Sequence, residues 1–291
     1  MYAKVNGYKI FFDVEGLQYV PDGPVMREKP VCLVMHGGPG GDHTHYMPDL
    51  SPLSETMQLI YIDDRNCGRS DIIDHTTNSM KQNVEDIEAL REYLGLDKVF
   101  ILGQSYGGMK AQYYVINHPE HLYGAIIACT SPHAEGIANA RVAEHVKEWG
   151  TPEQYKVWTS NAVFTGEMTF HDYMAVMGPL YHGPGKFNLQ EALDANERTL
   201  KSDDVISYQM VKGDLATFNF IEDLKKVDLP CLVLAGDHDF ICDEAANREI
   251  AEAIPNSEYH VFKGASHEIF ADFPEEVFPV INDFVARHFK K

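Results

Sequence analysis

A serine between two glycines, placed between an apolar run and a helix-like segment, is the strongest constraint on the fold of this chain. The apolar run Val99–Leu102 predicts a buried strand, and the segment Gly-Gln-Ser-Tyr-Gly-Gly follows it directly. Gly103 and Gly107 leave room for a sharp turn in which larger side chains would collide with the strand and the helix. Such a turn lifts the oxygen of Ser105 above the edge of a sheet. The sequence therefore predicts a strand–turn–helix unit of an α/β protein, with Ser105 as the nucleophile.

A glycine-rich loop after an earlier strand predicts the site that would stabilise an oxyanion. The loop His36-Gly37-Gly38-Pro39-Gly40 follows the strand-like run Val31–Met35. Acyl transfer needs two N–H groups aimed at the oxyanion, one from the residue after the nucleophile and one from such a loop. We predict Tyr106 as the first donor and Gly38 as the second, with Gly37 as the adjacent alternative. His36 is interpreted as a structural residue that braces the loop.

The acid and the base are expected in the chain order serine, aspartate, histidine. The strand-like run Cys231–Ala235 leads into Asp237-His238-Asp239-Phe240, and the next one, Glu258–Phe262, leads to His267. Both loops follow the carboxyl ends of strands, where open α/β sheets place their sites. Asp239 is the preferred acid because its distance from Gly236 lets the loop reach the histidine. Asp237 stays the alternative, and one of the two aspartates could instead cap the helix that begins near Asp243.

Composition limits the possible partners and the compartment. The net charge of −20 disfavours nucleic acids and anionic membrane surfaces as partners, and is compatible with cationic substrates. The five cysteines are odd in number and lack metal-ligand spacing, so we expect reduced thiols in a cytoplasmic protein. The first residues have no signal-peptide core, and no apolar stretch approaches the length of a membrane span. Neither a metal nor an organic cofactor is expected. The oligomeric state is left open.

Periodicity divides the chain into a core and an insertion. Tyr2–Val14, with Asn6-Gly7 in the middle, predicts a β-hairpin, and Met80–Leu94 predicts a helix with one apolar face. Further core strands are predicted at 31–35, 58–62, 99–102, 124–129, 231–235 and 258–262, and a helix at 106–117. Strands alternating with helices indicate a mostly parallel sheet with helices on both faces. Residues 1–130 and 226–291 are therefore assigned to this core, and 131–225 to a helical cap.

The cap is where the sequence leaves substrate choice undecided. Its predicted helices are 137–149, 152–162, 170–177, 189–200 and 206–211, with breaks at Gly178-Pro179 and Gly183-Pro184-Gly185. A minority of its aromatic residues are expected to line an apolar pocket, while the others pack the cap itself. These aromatic residues are Trp149, Trp158, Phe164, Tyr173, Tyr181, Phe187, Phe218 and Phe220.

Taken together, the motifs resemble those of the prolyl aminopeptidase (proline iminopeptidase) family of α/β-hydrolases. The resemblance rests on the glycine loop, the run Asp63-Asp64-Arg65-Asn66-Cys67-Gly68-Arg69-Ser70, the Gly103–Gly108 turn, Gly236–Asp239 and His267. It extends over most of the chain outside the middle segment and looks closest to the tricorn-interacting aminopeptidase branch. It implies an α/β-hydrolase fold and the removal of a single N-terminal residue, often proline, from short peptides.

One departure from the family pattern bears on the substrate. In the family, acidic residues bind the free amino group of the substrate, and one often follows the triad aspartate directly. Here that position is Phe240, which cannot pair with an ammonium group. The resemblance makes Asp214 the nearest candidate for another such carboxylate. Phe240, Gly37 and Asp214 are accordingly predicted to contact substrate.

Three functions follow as hypotheses. The first is an aminopeptidase or amidase that works through an acyl-enzyme. The second is a carboxylesterase or lactonase with the same triad but without amine recognition. The third is a non-catalytic ligand-binding protein on the same fold, which a complete triad disfavours.

Overall fold

Two sheets form in the computed structural model, which describes residues 1–160, 162 and 167–290. Their strands are β1 (Tyr2–Val5), β2 (Tyr8–Glu15), β3 (Tyr19–Asp22), β4 (Val25–Glu28), β5 (Val31–Met35), β6 (Gln58–Ile62), β7 (Val99–Gln104), β8 (Leu122–Ala128), β9 (Cys231–Gly236) and β10 (Ser257–Phe262). Within the described residues the central sheet has eight strands in the order β1-β2-β6-β5-β7-β8-β9-β10, and β3 pairs with β4 separately. β1 pairs antiparallel with β2 and β2 with β6, whereas β5 to β10 run parallel to one another.

The longer helices connect these strands or form the insertion. They are α1 (Met80–Tyr93), α2 (Tyr106–Asn117), α3 (Asn139–Trp149), α4 (Pro152–Ser160), α5 (Phe170–Tyr181), α6 (Leu189–Arg198), α7 (Asp203–Val211), α8 (Glu244–Ala253) and α9 (Pro274–His288). α3 to α7 lie between β8 and β9. The predicted division at residues 131 and 225 stays a prediction, and Phe164 lies outside the described residues.

The core lies on both faces of the sheet because the parallel strands are covered from both sides. Every residue of β5, β7 and β9 is buried. Leu33, Ile101 and Val233 pack on one face with side chains of α1, α2 and α8. Val34 and Leu102, which point the other way, pack with α9. Because successive side chains of a strand point to opposite faces, one set of strands contributes to both apolar layers.

The predicted fold class is confirmed, and so is the opening hairpin. β1 and β2 pair antiparallel around Asn6 and Gly7, which both have positive φ, as a tight two-residue turn requires. The second hairpin, β3–β4, was not expected from the sequence. The predicted break at Gly178-Pro179 is wrong, because α5 continues through Pro179. A proline near a helix end removes only one intrahelical bond, and Met177 is held in the apolar cluster of the cap.

No helix among the described residues is long and apolar enough to cross a membrane.

Helix α2 approaches the sheet so closely that an alanine at residue 107 should destabilise the protein. A Cβ added to Gly107 would overlap the carbonyl oxygen of Met35 in β5, which is backbone and cannot rotate away. We expect Gly107→Ala to lower the free energy of unfolding by about 1–3 kcal/mol, measured by urea denaturation. Gly41→Ala is the control, since its nearest atom, the Gly37 carbonyl oxygen, would lie at 3.5 Å. Equal stability of the two variants would contradict this description of the helix–sheet contact.

Candidate active site

Ser105 occupies a strained turn between β7 and α2. Its φ of 56° and ψ of −125° lie in a region that residues other than glycine rarely adopt. The turn is held by its own backbone: the Ser105 N–H donates to the carbonyls of Ala128 and Cys129 at 3.1 and 3.2 Å. The hydroxyl of Thr130 in turn donates to the Ser105 carbonyl at 2.7 Å. An added Cβ at Gly103 would overlap the Gly107 carbonyl, so both glycines are needed for the turn to close.

His267 and Asp239 form a buried pair beside this turn. His267 Nδ1 lies 2.8 Å from Asp239 Oδ2, and Asp239 has no exposed surface. The other oxygen of Asp239 accepts the N–H groups of Ile241 and Cys242, each at 3.0 Å. Gln104, which precedes the serine, donates its side-chain amide to the His267 carbonyl. The carboxylate is therefore fixed, and it holds the imidazole with Nδ1 as the donor and Nε2 free of this bond.

Asp237, the alternative acid, has a different task. Its Oδ1 accepts the backbone N–H of Gly264 at 2.7 Å and lies 2.8 Å from Nδ1 of His238. Asp237 thus ties its own loop to the loop that carries His267, whereas Asp239 contacts the imidazole itself. The structure brings Asp239, and not Asp237, to His267.

The glycine loop lies against the serine turn. A Cβ added to Gly37 would be 3.5 Å from Ser105 Cβ and would overlap the hydroxyl of Tyr46. Gly38 has a φ of 118°, which favours glycine. His36 braces the loop, since its Nδ1 donates to the Gly37 carbonyl at 2.7 Å and its Nε2 accepts the Asp64 N–H at 3.1 Å. Burial lowers the pKa of His36, which agrees with this neutral role.

Comparison with known proteins agrees with this geometry. A model of the alpha/beta hydrolase fold family matches residues 30–274. The chain belongs to the alpha/beta hydrolase fold family. A proline iminopeptidase from Lactobacillus helveticus is 26% identical to it, over 97% of this chain and 96% of that protein. Proline iminopeptidase PfmaB from Pestalotiopsis fici is 28% identical over 90% of this chain and 94% of its own.

A solved structure shows the same fold over nearly the whole length. The proline iminopeptidase of Mycobacterium smegmatis superposes with a TM-score of 0.79 at 22% identity, covering 99% of this hydrolase and 98% of that chain. The resemblance to proline iminopeptidases is thus confirmed at the level of distant full-length relatives. The assignment to the tricorn-interacting branch stays a prediction.

Asp214 begins the short turn Asp214–Ala216 that follows α7, and it contacts the first residue of α1. Its Oδ2 accepts the N–H of Met80, at the start of α1, at 2.6 Å. Its Oδ1 is buried and has no hydrogen-bond partner within the described residues. Burial raises the pKa of Asp214 above its ordinary value, and hydrogen bonds from Met80 and Gln209 offset this only in part. Met80 and Gln209 thus already stabilise part of this buried carboxylate.

Phe240 is enclosed by the cap. Its ring has no exposed surface and stands edge-on to Tyr181 and Trp158, with centroids 5.0 and 5.7 Å away. It belongs to the apolar cluster that joins α3, α4 and α5. Phe240 therefore has no exposed surface through which it could make the predicted contact with substrate. Phe240 thus joins this apolar cluster to the loop of Asp239.

Two further side chains were missed from the sequence. The Tyr46 hydroxyl lies against Gly37, and Glu268 directly follows His267, with Oε1 3.5 Å from Nε2 of His45. Acidic residues that bind substrate were expected only at the position after Asp239 and at Asp214. The sequence does show that an acidic residue directly follows His267, and this neighbourhood is the signal for Glu268. Nothing in the sequence around Tyr46 marks it, because its contact depends on how the loop folds back.

The charges around the imidazole favour its protonated form. Burial alone would lower the pKa of His267, but the charge and hydrogen bond of Asp239 and the charge of Glu268 raise it above 6.5. Burial would likewise raise the pKa of Glu268, yet His45, His267 and His182 bring it down to about 2. Glu268 is thus a permanent negative charge beside the base.

Metal-binding residue types also cluster at Asp42, His43 and Asp63, all buried. This group has internal partners. His43 Nδ1 lies 2.7 Å from Asp63 Oδ1, and Arg69 Nη1 lies 3.1 Å from Asp42 Oδ2. These pairs join the loop after β5 to the loop after β6.

The two aspartates should differ sharply when they are replaced. Asp239→Asn should lower kcat by about 10³–10⁴-fold while the fold is kept, because the amide favours the wrong histidine tautomer. Asp237→Asn should have a modest effect, since it only weakens a contact between loops. Turnover of p-nitrophenyl acetate checks this, with Ser105→Ala as the floor and circular dichroism as the fold control. If the two aspartate variants exchanged places, the acid would be Asp237.

The raised pKa of His267 sets the acid limb of activity. The base acts only when neutral, so kcat/KM should rise with pH through a midpoint above the ordinary pKa of histidine. Glu268→Gln removes a negative charge that favours the imidazolium, so the midpoint should move to lower pH. Glu275→Gln, at an exposed position, is the control. A midpoint that stays in place in Glu268→Gln would show that this charge does not act on the base.

Proposed function

We propose that this protein is a serine hydrolase that forms an acyl-enzyme and releases the N-terminal residue from small peptides or amino-acid amides. The observation that carries the proposal is the buried contact of 2.8 Å between His267 Nδ1 and Asp239 Oδ2, next to the strained turn of Ser105. A hydrogen-bonded aspartate is what makes an imidazole an oriented base. Distant full-length relatives named proline iminopeptidase support the amide-bond substrate class.

The proposed reaction uses the residues in fixed roles. His267 accepts the proton of Ser105 as the serine oxygen attacks the carbonyl carbon of the substrate. Asp239 stabilises the imidazolium that forms. The imidazolium then gives its proton to the leaving nitrogen as the C–N bond breaks and the acyl-enzyme remains. A water molecule, deprotonated by His267, attacks the acyl-enzyme, and the proton returns to Ser105.

The N–H groups of Tyr106 and Gly38 are the proposed oxyanion donors. Such a donor typically contributes about 3–4 kcal/mol to stabilising the transition state in a site that excludes water. The positive end of helix α2 adds to this stabilisation, because Tyr106 is its first residue. Gly37 remains the alternative to Gly38, and its contact with Tyr46 gives it a positioning role as well.

Asp214 is the proposed partner of the substrate's ammonium group. Its Oδ1 is buried and unpartnered within the described residues, and its raised pKa has burial as the main cause. An incoming ammonium group would donate a hydrogen bond to Oδ1, and its positive charge would offset the negative charge of the buried carboxylate. Burial raises the pKa of the Tyr106 phenol, and the charge of Asp214 adds to that shift. Both points support recognition of a free amino group by this carboxylate.

A carboxylesterase or lactonase is the second candidate, and Phe240 favours it. The position after the triad aspartate carries a buried ring instead of a second carboxylate. Since this position supplies no carboxylate, we expect weaker selection for free amines than an acidic residue here would give. The same triad would then act on neutral esters.

Blocking the amino group separates the two candidates. Breaking a charged contact of this kind typically costs about 2–5 kcal/mol, so N-acetylation should lower kcat/KM on proline p-nitroanilide by about 30-fold or more. Asp214→Asn should raise KM for the free amine to a similar extent and leave hydrolysis of a neutral p-nitrophenyl ester unchanged. Asparagine keeps an acceptor for the Met80 N–H, so the fold should persist.

Asp74→Asn is the matched control, because Asp74 also accepts a backbone N–H, from Thr76 at 2.9 Å, but is exposed. Equal cleavage of free and blocked anilides, with no effect of Asp214→Asn, would overturn the aminopeptidase assignment and favour the esterase. Absence of fluorophosphonate labelling at Ser105 would overturn the hydrolase assignment itself.

A further inference from the structure

One buried side-chain amide joins the segment that holds the nucleophile turn to the loop of the proposed acid. Asn247 lies near the start of α8 and has no exposed surface. Its Oδ1 accepts the backbone N–H of Thr130 at 2.9 Å, although the two residues are 117 positions apart in the chain. Its Nδ2 donates to the carbonyls of Cys242 and Asp243, at 2.9 and 3.0 Å. The amide therefore bridges the end of β8 and the start of α8.

The Thr130 end of this bridge holds the serine. The hydroxyl of Thr130 donates to the Ser105 carbonyl at 2.7 Å, and the carbonyl of the preceding residue, Cys129, accepts the Ser105 N–H at 3.2 Å. With a φ of 56°, Ser105 has a strained backbone that persists only where its surroundings hold it. A displacement of Thr130 would therefore move the serine.

The Cys242 end of the bridge holds the carboxylate. The N–H of Cys242 donates to Oδ1 of Asp239 at 3.0 Å, while Oδ2 of the same carboxylate lies 2.8 Å from Nδ1 of His267. Cys242 thus contacts Asn247 through its carbonyl and Asp239 through its N–H. Because one residue makes both bonds, the position of Cys242 fixes how the carboxylate faces the imidazole.

We propose that Asn247 is a positioning residue that keeps Ser105 and Asp239 aligned with His267, a role that rests on the proposed hydrolase function. An asparagine side chain offers an acceptor and a donor in one plane, and both are used here. Without the amide, the Thr130 N–H and the Cys242 carbonyl would each lose a partner in the protein interior, which is unfavourable. The two segments would then shift relative to each other. The effect falls on turnover and not on substrate binding, since Asn247 acts only through other residues.

Steady-state kinetics of an Asn247 variant is the first readout. Asn247→Ala should lower kcat by about 10- to 100-fold with KM unchanged, because a displacement of about 1 Å among oriented reacting groups costs up to that much. Thr130→Val loses only the hydroxyl bond to Ser105, so it should lower kcat by less. Proline p-nitroanilide and p-nitrophenyl acetate are the substrates.

The titration of the His267 imidazole, followed by NMR, is a second readout that needs no substrate. Burial lowers the pKa of His267, whereas the charge and hydrogen bond of Asp239 and the charge of Glu268 raise it. A carboxylate that is held less firmly should therefore give Asn247→Ala a lower imidazole pKa. The resonance is assigned by its absence from His267→Ala. The titratable groups around this imidazole are Asp239, Glu268, His45 and Tyr181.

Asn78→Ala is the matched control, because Asn78 is also fully buried and its Nδ2 donates to the Arg65 carbonyl at 2.7 Å, outside the loops that carry the triad. It should leave both kcat and the imidazole pKa unchanged. Circular dichroism checks the fold of each variant. Should Asn247→Ala unfold, Asn247→Ser takes its place, since serine fills more of the space.

A folded Asn247 variant with the kcat and the imidazole pKa of the unmodified protein would overturn the proposal. Unfolding of both Asn247 variants would overturn it as well, because the residue would then serve the fold alone. If the unmodified protein turned over neither substrate, the hydrolase function would be wrong, and the imidazole titration would still show whether Asn247 positions Asp239.

Discussion

The close approach of helix α2 to the sheet is the contact on which the rest of the site depends. Gly107 touches the carbonyl of Met35 in β5, and Gly103 touches the carbonyl of Gly107. Because no side chain separates these backbones, the chain turns sharply enough to hold Ser105 at a φ of 56°. The same approach brings the N–H of Tyr106 and the loop of Gly37 to the serine. A backbone contact thus positions both the proposed nucleophile and its proposed oxyanion donors.

The charges around His267 are the second feature on which the site depends. One oxygen of Asp239 accepts two backbone N–H groups, and the other accepts a hydrogen bond from His267. The imidazole therefore cannot rotate without breaking a buried hydrogen bond to a charged group. Glu268 adds a second negative charge to the base, partly balanced by His45. Asp214 differs from Glu268, because burial raises the pKa of Asp214 whereas nearby histidines lower that of Glu268.

The cap covers the site through apolar packing. Phe240 lies in the loop of Asp239, and its side chain packs in the cluster of Val142, Val146 and Met177. A carboxylate could not occupy that place without a buried partner, since an unpaired charge in an apolar cluster is strongly unfavourable. Phe240 therefore joins the loop of Asp239 to the helices of this cluster.

The sequence by itself determined the elements whose signals are local. Apolar runs, the Asn6-Gly7 turn and the glycines around Ser105 predicted the strands, the hairpin and the strand–turn–helix unit, because each depends on neighbouring residues. Only the tertiary structure decided which aspartate meets His267, that Asp214 bonds to Met80, and that Phe240 is enclosed. These contacts join segments that are far apart in the chain, from 28 residues for Asp239 and His267 to 134 for Asp214 and Met80. No local pattern encodes such a distance, so the packing of the sheet and the cap determines it.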